Sequence, residues 1–82
     1  MNSLKSGDRI ILNLSSNEAI VLLEWLARFN DIANSDLFEH KSEERILFDL
    51  ESNLEKVVSE TFHENYQEIL RLARNYVSDN IK

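Results

Sequence analysis

The side chains that could do chemistry are two histidines, scattered serines and fifteen carboxylates. His40 and His63 fall on different expected elements, and no His-x-x-x-His pair occurs, so both read as surface or cap residues, not zinc ligands. Nucleophilic catalysis needs a serine or cysteine beside a base and an oriented partner. There is no cysteine, and the serines sit at caps, in the N-terminal segment or on exposed helix faces. Acid–base work would require a desolvated cleft to push paired carboxylates apart in pKa, and three short helices leave little room for one. No glycine-rich phosphate loop is present. The expectation is a protein that is not an enzyme, with no catalytic residues, no cofactor and no metal.

What remains is a surface. In the stretch SEERILFDLESNLEKVV, Ser42 to Val58, the apolar positions fall on one helix face, but Phe48 stands among Glu44, Glu51 and Glu55. At 100° per residue these four lie within about one sixth of the circumference. Two readings are open. Phe48 either leans into the seam beside the first helix or under the N-terminal strand, or it is an aromatic anchor ringed by carboxylates. In the second case the patch would meet a basic cleft, the acids steering the encounter and the ring filling a pocket.

Composition narrows the partners. Fifteen acidic residues against nine basic give a net charge of −6, which repels a phosphate backbone and attracts basic proteins, so direct nucleic-acid binding is not expected. The first residues, MNSLKSGD, lack the apolar run of a secretion signal. The longest uninterrupted apolar run, Ala19 to Leu23, is far short of the ~20 residues that span a bilayer. A cytoplasmic protein without membrane contact is expected. At 82 residues the chain suits one domain, and its 43% apolar content supports a packed core.

The elements that must position this surface follow from periodicity. Residues 1–8 read as a flexible tail. In 9–14, Ile10, Leu12 and Leu14 alternate with Arg9, Ile11 and Asn13, which predicts one short strand. A lone strand must pair with a copy, pair with a partner, or lie extended on the helices. SSNE is a capping box that starts a first helix over about 16–32. That helix is apolar on most sides and should be the core, Trp25 included, with Asn17, Glu24, Arg28 and Asp31 as its polar strip. Leu37 and Phe38 in the following connection are expected to plug the end of the core. A second helix, about 41–60, should bury Ile46, Leu47, Leu50, Leu54, Val57 and Val58. A third, about 62–79, opens at a Thr61–Glu64 capping box, with His63 or Glu64 as the alternative later start. Phe62, Tyr66, Ile69, Leu70, Ala73 and Val77 recur on its apolar face, Tyr66 and Tyr76 lying at the core edge with their hydroxyls in water. Residues 80–82 should fray. The predicted fold is all-α, a compact three-helix bundle over 9–79 with a short N-terminal β-strand.

In order and character this chain resembles a group of small bacterial proteins. The resemblance runs through the strand, EAIVLLEWLARFN, FEHKSEERILFDLESNLEK and FHENYQEILRLAR, and covers about Arg9 to Tyr76. Some members of that group are similar to immunity proteins of polymorphic or contact-dependent growth-inhibition toxin systems. The resemblance implies a small cytoplasmic protein that neutralises a cognate toxin domain, often a nuclease, and it assigns no individual functional residues. A nuclease gathers positive charge to hold its substrate, which an acidic domain could cover. The expected partner is thus a basic toxin domain, an RNase or DNase, met by Glu44, Phe48, Glu51 and Glu55. The alternative is a homodimeric accessory or scaffolding module joined through RIILNL strands; the oligomeric state is left between monomer and weak homodimer.

Overall fold

The computed structural model describes residues 1–32 and 35–79; the expected fraying of 80–82 lies outside them. The chain is mostly helical, with a two-stranded sheet at its N-terminus and three α-helices. Strands β1 (Asn2–Ser6) and β2 (Arg9–Asn13) form an antiparallel hairpin in which Ser6 faces Arg9 and Leu4 faces Ile11. The flexible tail expected over 1–8 is therefore a strand and turn, and the strand of 9–13 finds its partner within the chain. The cause is a two-residue turn at Gly7 and Asp8. Gly7 has φ +62°, and no non-glycine residue among those described has positive φ, which is the pattern of a type II′ hairpin turn.

Helix α1 (Ser16–Asp31) opens on the capping box read from SSNE. The Ser15 hydroxyl accepts from the Glu18 amide at 3.1 Å, and the Glu18 carboxylate accepts from the Ser15 amide at 2.8 Å. The Met1 ammonium adds a 3.0 Å ion pair to the same carboxylate, which ties the hairpin to the helix. The Ser15 amide and then the Met1 ammonium hold the Glu18 carboxyl below its ordinary pKa. A depressed carboxylate stabilises the fold above its unfolded-state pKa, and that contribution is lost as pH falls through the folded value. Ser15→Ala should cost about 1 kcal/mol in urea unfolding at neutral pH. Glu18→Gln should flatten the loss of melting temperature with acidification; an acid slope equal to that of wild type would contradict this.

Helix α2 (Lys41–Val57) is capped by His40, whose Nδ1 accepts from the Ser42 amide at 3.0 Å. It ends three residues before the expected Glu60. The chain then makes a 3₁₀ turn at Glu60–Phe62, and α3 (Tyr66–Asp79) starts later than periodicity suggested. The Thr61–Glu64 capping box does not form. The Thr61 hydroxyl turns back to the Val58 carbonyl at 3.5 Å, and His63 Nδ1 accepts from the Asn65 amide at 3.0 Å.

The core is small and centred on α1. Ala19, Ile20, Leu23 and Leu26 of α1 meet Leu54 and Val58 from α2 and its end, and Leu70 and Ala73 of α3. Both α2 and α3 pack on α1 far more than on each other. The radius of gyration is 14.2 Å, against about 12 Å for a compact chain of this length. The arrangement is thus somewhat extended and not the compact bundle expected. Exposure follows from this. Trp25 is 43% exposed and stacks on Phe29 with centroids 4.8 Å apart, instead of entering the core. Ile46, Val57 and Phe62 are largely exposed although periodicity assigned them to buried faces, and Leu50 is half-exposed. Leu37 is exposed, while Phe38 sets its edge against Phe29 at 6.0 Å.

Candidate functional site

Glu44, Phe48, Glu51 and Glu55 all lie on α2, along the border of its buried side. Their environments differ. Glu44 and Glu55 are exposed, and Phe48 leaves 45% of its surface to solvent. Glu51 is half-buried, because the Asn30 side chain of α1 donates to its Oε1 at 2.7 Å and also reaches the Leu47 carbonyl at 3.4 Å. That amide bridge pins α2 to α1 and fixes the row's orientation. Of the three carboxylates, one therefore has a structural partner, and two face water without one among the described residues.

Beside Glu55 the row runs into a groove of about 440 Å³ between α1, α2 and the start of α3. It is lined by Leu23, Glu24, Ala27, Glu55, Phe62 and Tyr66, with Thr61 at its edge. The Tyr66 hydroxyl donates to Glu24 Oε2 at 3.1 Å. Partial burial, then the adjacent Glu24 carboxylate, raise the tyrosine pKa above its ordinary value. Phe62 stands 87% exposed at this groove. The combination is an apolar trough with carboxylates from two helices and a phenol, suited to receiving a cationic or amphipathic side chain from another protein.

Sequence reasoning identified Glu55 but not Glu24, Phe62 or Tyr66 as its neighbours. Sequence reasoning placed Glu24 in the polar strip of α1, whereas the structure joins it to Tyr66, 42 residues on. No local signal could have revealed that contact. The cations behave as surface groups: Arg45 pairs with Asp49 and Arg71 with Glu68, both exposed. A second groove of about 330 Å³, between α1 and α3, carries Trp25, Val21 and Val77 with Arg28 and Arg74, so the acidic row and the arginine-bearing groove are separate surfaces.

Among the described residues no three His, Cys, Asp or Glu side chains group so as to hold a metal ion. No helix there is long and apolar enough to cross a membrane. Comparison with protein-family models, with curated proteins and with solved structures finds no match to this chain.

Proposed function

We propose that this chain is an immunity protein, which binds a cognate bacterial toxin domain in the cytoplasm and neutralises it without doing chemistry. The toxin is a basic nuclease, and the acidic face of α2 covers the cationic surface that would hold RNA or DNA. The observation that carries this reading is the half-exposed Phe48 within a row of carboxylates that continues into the Glu24–Glu55 groove. A ring left half in solvent beside exposed carboxylates gains a role when a basic partner covers it. The net charge of −6 acts in the same direction at longer range. The resemblance to immunity proteins of contact-dependent growth-inhibition systems agrees with this chemistry.

The test is co-purification with the basic proteins encoded beside this gene. A one-to-one complex should form, the toxin's nuclease activity should fall in proportion to complex, and affinity should weaken as salt rises from about 50 to 500 mM. Indifference to every such protein, or turnover of a substrate by this chain alone, would overturn the proposal.

A further inference from the structure

The hairpin is the part of the fold that the proposed toxin-binding face does not use. All ten residues of β1 and β2 are exposed, including Leu4 at 59%, Ile10 at 66%, Ile11 at 42% and Leu12 at 60%. A two-stranded hairpin without a packed face is marginal in water, and three or more strands are ordinarily needed. Its two edges differ. β1 is mostly polar and carries Lys5, a charge of the kind that discourages edge pairing, whereas β2 presents Ile10, Ile11 and Leu12 in succession.

The register decides which backbone groups are free. A turn closed at Ser6 and Arg9 makes these two the hydrogen-bonded pair, and antiparallel alternation makes Leu4–Ile11 and Asn2–Asn13 hydrogen-bonded as well. The amides and carbonyls of Ile10 and Leu12 therefore point away from β1, along the outer edge of β2.

We propose that this edge pairs with the β2 edge of a second copy of the chain, about a two-fold axis at Ile11. The match is self-complementary. Ile10 meets Leu12 of the second copy in a hydrogen-bonded pair, and Leu12 meets its Ile10, so the four outward groups of each strand are satisfied. Ile11 faces Ile11 in a non-hydrogen-bonded pair, where side chains approach most closely. Arg9 falls opposite Asn13, so no like charges oppose each other. Antiparallel pairing also limits the repulsion between two acidic chains. Lys5, Asp8 and Arg9 sum to +1, leaving −7 for the remaining chain, and antiparallel pairing puts the two acidic helical bodies at opposite ends of a four-stranded sheet. The contact area is small, so association on the order of 100 micromolar is expected, not an obligate dimer. The proposal does not depend on the toxin-binding reading.

The experiment uses the full chain. Sedimentation equilibrium across that concentration range should show a monomer–dimer equilibrium for wild type. Ile11→Lys should weaken it at least about tenfold, and an equimolar mixture of Ile11→Lys with Ile11→Glu should restore dimer. Circular dichroism of the helices checks that each variant is folded. Because the chain has no cysteine, Ile11→Cys offers an independent measure: it should oxidise to a covalent dimer well ahead of Leu4→Cys, which lies off the axis. A wild type that stays monomeric throughout, or Ile11→Cys that cross-links no faster than Leu4→Cys, would overturn self-pairing. So would a monomer in which Ile11→Lys instead abolishes binding of a basic protein, since the edge would then belong to a different strand.

Discussion

Leu26→Ala is expected to lower the unfolding free energy by about 2–5 kcal/mol, the largest stability effect of any single truncation in this fold. Leu26 is fully buried in α1, which carries four of the eight core residues buried among those described. Cutting its isobutyl side chain back to methyl removes transfer energy and leaves a cavity at the helix on which both α2 and α3 lean. A domain of this length has roughly 4–12 kcal/mol in total, so the loss is a large share. Urea unfolding should show a lower midpoint with an unchanged slope. Trp25→Ala is the instructive comparison, because the larger side chain is removed next door. With 43% of Trp25 exposed, its truncation should cost less than Leu26→Ala. The opposite order would mean that the tryptophan, not the leucine, occupies the core.

That comparison also marks what the sequence could and could not disclose. The capping box at Ser15 and Glu18 was legible because both partners lie three residues apart and the geometry is local. The identity of α1 as the central helix was legible too, since no other segment is apolar on so many sides. Trp25, Ile46, Val57 and Phe62 were misassigned for a common reason. Periodicity shows which side chains share a face, but not how much of that face a neighbour covers. With only α1 shared between α2 and α3, several apolar residues have nothing to pack against. The hairpin was readable in principle: Gly-Asp between two five-residue segments is a recognised turn signal, but the polar NSLKS segment hid the first strand. Of the candidate site, the row on α2 came from spacing alone. The Asn30–Glu51 bridge and the Tyr66–Glu24 contact came from tertiary packing across 21 and 42 residues, beyond the reach of any local pattern.

The four residues of the row should therefore respond differently to mutation, and this separates partner binding from packing. Glu51 is the wrong carboxylate to reverse, since Glu51→Lys would break the amide bridge from Asn30 and unsettle the α1–α2 seam. Glu44 and Glu55 are exposed, and among the described residues no side-chain hydrogen bond or ion pair depends on them, so their reversal tests electrostatics. Glu44→Lys with Glu55→Lys moves the net charge from −6 to about −2 and turns attraction at this face into repulsion. Association with a basic toxin domain should slow by about ten- to a thousandfold at low salt, with the melting temperature little changed and the difference shrinking as salt is added. Phe48→Ala should act on the other rate. An anchor of this kind contributes at least about 2 kcal/mol to binding, near thirtyfold in affinity, and its loss appears chiefly as faster dissociation. At 45% exposure the same truncation should destabilise the free protein less than Leu26→Ala. If Phe48→Ala unfolded the chain as readily as Leu26→Ala while leaving toxin protection intact, the ring would be packing material and the binding face would have to lie elsewhere. If the double reversal bound as fast as wild type, the acidic row would have no steering role. Slower arrival from the carboxylates together with faster departure from the ring is the pattern that a toxin-covering surface requires.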